Sequence, residues 1–168
     1  MTKRETVQQL SDLMDEWIKE EWGFTGTRAG MTEKQKDLTR ACLTLGQPAI
    51  IRHGAAYGAD REFHAIWREE LPRRFADVWP ADDKSRKLFD DQDNVAVNPV
   101  LPPLQRNEEI VKRSKYMIAT PHTQQEELRS GTWATVRCAR RLEKPCLIIW
   151  PNGVMTLDFQ KFLVRIVR

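Results

Sequence analysis

The residues best placed to do chemistry stand late in the chain, where Arg129-Ser130-Gly131-Thr132-Trp133-Ala134-Thr135 opens a helical run. Ala134, Cys138 and Leu142 recur at i, i+4 and i+8, with Arg137, Arg140 and Arg141 on other faces. A small, hydroxyl-bearing glycine turn leaves the first N–H groups of such a helix free. With the helix dipole and the neighbouring Arg129, those groups make an anion site. Ser130 and Thr132 can cap the helix and bond the same anion.

Two more turns of the same kind occur earlier. Trp22-Gly23-Phe24-Thr25 reads as a short strand, and Gly26-Thr27-Arg28-Ala29-Gly30 follows it. Thr32 and Gln35 then form a capping box ahead of a stripe of Leu38, Ala41, Cys42 and Leu45. Ala49-Ile50-Ile51-Arg52-His53 reads as a buried strand, followed by the turn Gly54-Ala55-Ala56-Tyr57-Gly58-Ala59-Asp60 and a helix over about 60–71. Strand, glycine turn and helix thus recur three times. In an open parallel sheet all such turns gather at the carboxyl ends of the strands, where ligands bind.

The elements that must hold these turns are an alternation of helices and strands. An amphipathic helix spans about 6–19, with Val7, Leu10, Met14 and Trp17 on one stripe. Further strands are expected at Phe75-Ala76-Asp77-Val78-Trp79-Pro80, at Tyr116-Met117-Ile118-Ala119 and at Cys146-Leu147-Ile148-Ile149-Trp150. Pro102 and Pro103 open a short helix. The tail over 156–168 suits either a strand or a short helix. The pattern predicts a single α/β domain over 1–168: a three-layer Rossmann-like fold with a mainly parallel sheet of at least five strands. It includes an N-terminal helix within 1–20 and an irregular acidic connection over 81–101. Neither G-x-G-x-x-G nor G-x-x-x-x-G-K-[ST] occurs, so neither a standard dehydrogenase nor a P-loop nucleotidase is supported.

Composition sets the class. Hydrophobic residues make up 40% and charged residues 30%, as in soluble globular domains. No apolar run approaches a membrane span, and no signal-peptide core follows the polar N-terminus, so a cytoplasmic protein is expected. Cys42, Cys138 and Cys146 are odd in number and unpaired as C-x-x-C, which favours buried thiols. His53, His64 and His122 lack zinc-ligand spacing, and neither a metal nor a cofactor is expected. The net charge of +3 does not announce a nucleic-acid binder.

The motifs resemble the SLOG superfamily, which unites DNA-processing protein A (Smf) with the Lonely Guy phosphoribohydrolases. Phe24-Thr25-Gly26-Thr27-Arg28 resembles its first strand and turn. His53-Gly54-Ala55-Ala56-Tyr57-Gly58-Ala59-Asp60, with His64 following, is similar to the S-G-x-x-x-G-[IA]-D…H motif of the DNA-processing branch. Arg106-Asn107-Glu108-Glu109-Ile110 resembles its R-N-x-x-I segment, and Arg129-Ser130-Gly131-Thr132 its R-S-G-[ST] helix start. The four motifs cover roughly 24–153. The resemblance implies a nucleotide-type ligand. It departs from the phosphoribohydrolases, whose P-G-G-x-G-T-x-x-E carries the glutamate of N-glycosidic cleavage, because Thr135 stands at that spacing here.

These readings nominate Gly26, Thr27, Arg28, Gly54, Gly58, Asp60, Arg106, Asn107, Arg129, Ser130, Gly131 and Thr132 as ligand-binding residues. Arg28, Arg106 and Arg129 are the phosphate clamps. Asp60 either holds a ribose hydroxyl or caps the helix it opens. Asn107 either reads a base edge or ties two loops together. His64 is expected to be a packed structural residue, and Trp133 a core residue. The leading function is that of a sensor or carrier of a nucleotide or nucleotide derivative. The second is an N-glycoside hydrolase or phosphoribohydrolase acting on nucleoside monophosphates, with its carboxylate drawn from Asp60, Glu126 or Glu127. The third, not favoured, is a single-stranded nucleic-acid binding module using the late arginines and Trp133. A homodimer is expected as well, both from the superfamily and because a single sheet core need not bury all six tryptophans.

Overall fold

The central strands are apolar on both sides, so the sheet must be covered on both faces. The computed structural model describes residues 3–159 and 162–167. In chain order the elements are α1 (Lys3–Trp17), β1 (Glu21–Gly26), α2 (Glu33–Gly46), β2 (Ile50–His53), α3 (Ala59–Glu70), β3 (Phe75–Val78) and α4 (Asp83–Lys87). They continue with β4 (Val95–Val97), α5 (Pro103–Arg113), β5 (Tyr116–Thr120), α6 (Gly131–Arg141), β6 (Cys146–Ile149), β7 (Met155–Phe159) and β8 (Phe162–Val167). The strands form one sheet in the order β4-β3-β2-β1-β5-β6-β7-β8. The first six pair in parallel, and β7 and β8 close the edge antiparallel. This is the expected three-layer α/β architecture.

Alternation along each strand divides the core in two. Ile118, Leu147 and Ile149 face the layer of α1, α2 and α3, where they meet Trp17, Trp22, Phe63 and Trp67. Met117, Ala119, Cys146 and Ile148 face α5 and α6, where they meet Val111, Trp133 and Val136. Helix α1 belongs to the first core: Met14 and Trp17 are fully buried, and Trp17 stacks on Tyr116 with ring centroids 4.4 Å apart. Trp17, Trp22, Trp67, Trp79 and Trp133 are all buried within the one chain. Five of the six tryptophans are thus buried without a second chain, because a sheet covered on both faces has two cores to hold them.

Capping behaves as expected at α2, where Thr32 accepts from the Gln35 amide and the Gln35 side chain accepts from the Thr32 amide. All three cysteines are free and buried, and burial pushes the Cys42 thiol up to about 12. Two regions differ from expectation. The acidic connection is not irregular throughout, for it carries α4 and the edge strand β4. Elements of five and three residues show no readable period. The tail resolves as the β7–β8 hairpin; the side chains of Phe162 and Leu163 lie outside the described residues.

Candidate functional site

Strand order reverses at β1. The chain runs outward through β2, β3 and β4 on one side, then crosses to β5 on the other. That places a crevice beyond the carboxyl ends of β1 and β5, where open α/β sheets bind ligands. A cleft of about 360 Å³ lies there. It is walled by the Thr25–Arg28 turn after β1, by Gly54, Ala56 and Asp60 from the turn after β2, by Arg106 and Asn107 on α5, and by residues 129–132 at the start of α6. The three glycine turns converge as their repetition predicted.

Of the nominated residues, Gly26, Thr27, Arg28, Gly54, Asp60, Arg106, Asn107, Arg129, Ser130, Gly131, Thr132 and Glu127 all line the cleft. Gly58 does not. It caps α3 with φ +78° and ψ −121°, and a Cβ there would fall 2.6 Å from the Thr27 carbonyl oxygen. The Ala59 amide donates to that same carbonyl at 3.0 Å. Gly58 thus locks the second turn against the first and shapes the cleft from behind. Glu126 also stands apart, paired with Arg137 at 3.2 Å and Arg140 at 2.9 Å.

The start of α6 is built as an anion site. Ser130 is the N-cap, and its hydroxyl accepts from the Trp133 amide at 3.3 Å. The Gly131 and Thr132 amides have no acceptor among the described residues. A Cβ on Gly131 would meet nothing within 4 Å, so the space above this helix end is open. The Thr135 hydroxyl donates back to the Gly131 carbonyl at 3.1 Å, so no carboxylate occupies the spacing where the phosphoribohydrolases carry theirs.

Three guanidinium groups face this opening from different elements. Arg28 and Arg129 are exposed and make no ion pair or hydrogen bond among the described residues. Arg106 is buried, with Nη1 donating to the Gly54 carbonyl at 2.6 Å and Nε to Asn107 Oδ1 at 2.9 Å. Asn107 is therefore a tie that orients Arg106, while its residue also lines the cleft. Gly54 has no side chain because Arg106 fills the place: a Cβ would lie 2.7 Å from Cζ.

Asp60 ties the second turn rather than capping its own helix. Its Oδ2 accepts from the Gly54 and Ala56 amides, each at 3.1 Å. Burial raises its carboxyl to about 6, against the pull of Arg106 and the two amide bonds. Behind it a neutral relay backs the loop. His53 Nδ1 accepts from the Ala55 amide at 3.0 Å, which requires the proton on Nε2. That nitrogen meets His64 Nδ1 at 2.8 Å, and His64 Nε2 in turn meets Gln92 Oε1 at 2.9 Å. Burial holds both imidazoles below their usual range. His64 is thus a packed structural residue, as expected. The relay joins three distant segments, so no local spacing announces it.

Sequence reasoning missed His122, Leu104 and Ala56 in the cleft wall. Leu104, two positions before Arg106, is 71% exposed. The other expected supports of a nucleic-acid surface are engaged in the fold. Trp133 is buried, and Arg140 binds Asp158 at 2.7 Å as well as Glu126.

No protein-family model matches the chain, and no curated protein sequence matches it significantly. Among solved structures it is similar to TM1055, a structural-genomics target, with 15% identity and a TM-score of 0.53. The likeness covers 76% of this chain and 72% of that one, and it shows a shared fold. No helix among the described residues is long and apolar enough to cross a membrane.

Proposed function

We propose that this chain is a nucleotide-binding protein of the SLOG superfamily, acting as a sensor or carrier of a nucleotide or nucleotide derivative. The observation that carries the reading is the convergence of two unpaired guanidiniums, Arg28 and Arg129, with the free Gly131 and Thr132 amides at the switch-point cleft. Guanidinium forks and helix-start amides both match phosphate oxygens. Arg106, held rigidly by Gly54 and Asn107, adds a third cation without the entropy cost of ordering it on binding. Asp60 supplies an oxygen, Oδ1, that has no partner among the described residues and suits a ribose hydroxyl. The superfamily assignment is supported by the four motifs and by the fold. Calorimetry against nucleoside monophosphates tests the function. Binding below millimolar concentration is expected, and failure of all of them at that concentration would sink it.

A second reading, an N-glycoside hydrolase of nucleoside monophosphates, draws on Asp60. A carboxyl near 6 inside a cleft is poised for proton transfer at neutral pH. Glu127 lines the same cleft. Release of free base, abolished in Asp60→Asn, would establish it. No release from any monophosphate would leave the protein a binder.

A further inference from the structure

The wall made by Arg28, Gly54, Ala56 and Arg106 has a second side. Beyond it lies a smaller hollow of about 160 Å³, closed by Tyr57, Ala81, Asp82 and Ser85. The two hollows share those four wall residues, which form a cationic waist between them. At the far end stands an aromatic ring with no role in the core. Tyr57 is 53% exposed, yet the Arg61 guanidinium lies 3.8 Å from its ring centroid and the Lys84 ammonium 6.0 Å. A solvent-exposed ring held by a guanidinium is a stacking platform for a flat heterocycle.

At the waist, Arg28 is unpaired, and Nη2 of the buried Arg106 has no partner among the described residues. Asp82, at the far side, lines the smaller hollow, and its Oδ1 accepts from the Ser85 amide at 2.6 Å. Cations therefore stand in the middle, with one carboxylate on each side, Asp60 in the larger hollow and Asp82 in the smaller. A mononucleotide would use only the larger hollow.

Resting on the nucleotide reading, we propose that the ligand is a dinucleotide-type molecule, two nucleoside units joined through phosphate. Its phosphate bridge lies at Arg28 and Arg106, and its second base stacks on Tyr57. Stacking on one aromatic side chain changes affinity by roughly ten-fold or more.

The test is calorimetry of the full chain with the four common nucleoside monophosphates and the matching symmetric dinucleotides, in both phosphodiester and diphosphate forms. At least one dinucleotide should bind about ten-fold tighter than its monophosphate. Tyr57→Ala should remove that advantage and leave monophosphate affinity within about two-fold, and Tyr57→Phe should keep it. Dinucleotides that bind no tighter than monophosphates would overturn this inference and leave the nucleotide reading standing. An advantage that survives Tyr57→Ala would also overturn it. Absence of binding by every compound would overturn both.

Discussion

Two glycines of the candidate motifs should respond in opposite ways to the same added methyl group. At Gly58 the backbone has φ +78°, and a Cβ would sit 2.6 Å from both the Thr27 carbonyl oxygen and the Arg28 carbonyl carbon. These are backbone atoms in a turn that itself bonds Ala59 and Thr120, so they cannot swing aside as a side chain does. The strained conformation costs on the order of 1–3 kcal/mol. The overlap adds about 1–3 kcal/mol more. Gly58→Ala should therefore destabilise the fold by roughly 2–6 kcal/mol, a fall in Tm on the order of 10 °C for a chain of this length. At Gly131 a Cβ meets nothing within 4 Å, and the residue opens α6. Gly131→Ala should leave stability unchanged or slightly raised, because alanine favours helix. It should weaken the cleft's hold on nucleotides, because the methyl group occupies space above the free amides. Urea unfolding of both variants, with nucleotide titration of Gly131→Ala, checks the pair. A stability change under 0.5 kcal/mol at Gly58, or a loss above 2 kcal/mol at Gly131, would refute the assignment of one glycine to shape and the other to the ligand.

Other perturbations have equally definite outcomes. Asp60 holds its proton more tightly in the folded state, so its contribution is fully present below about 4 and is lost as pH rises through about 6. The raised value corresponds to about 3 kcal/mol as an upper bound, so Asp60→Asn, which keeps an oxygen for the two amides, should be more stable than the parent at pH 8 and no more stable at pH 4. Unfolding curves showing it less stable at pH 8 would contradict the burial argument. His53 and His64 act with the opposite sign: the unfolded chain takes up protons near 6.5 that the folded relay refuses, so stability should fall as pH drops below that point. His64→Gln should flatten this slope between pH 7.5 and 6, and an unchanged slope would remove the relay from the account. The homodimer remains a proposal, now resting on Leu104 and Leu128, which are 71% and 88% exposed at or beside the cleft wall. Light scattering should give the mass of two 19.6 kDa chains, reduced to one by Leu104→Glu with Leu128→Glu; a single-chain mass in the parent ends the proposal.

The parts of the fold legible in sequence are those with a strong apolar signal bounded by turn residues. β2, β5 and β6 are short apolar runs buried on both faces and bounded by turns, and each was placed to within about a residue. The tail was not legible, because Asp158 inverts the usual alternation. It is a carboxylate buried inside β7 and held by Arg140 on α6. Likewise Glu126 looked available for catalysis, since its partners Arg137 and Arg140 lie 11 and 14 residues away. The cleft was legible because its parts follow glycine turns, and turns of one parallel sheet share an edge. Tyr57 sat inside one of those turns, but nothing local showed that Arg61 would stack on its ring.

On the proposed function, nucleotide phosphate binds at the free amides of α6 beside Arg28, Arg106 and Arg129. Amide chemical shifts during titration with a nucleoside monophosphate test it residue by residue. Saturable shifts are expected at Gly131 and Thr132, and at Gly26 and Gly54 across the cleft, all weakened about ten-fold in Arg129→Ala without loss of fold. Shifts confined to other surfaces, or none at these four amides at millimolar ligand, would contradict it.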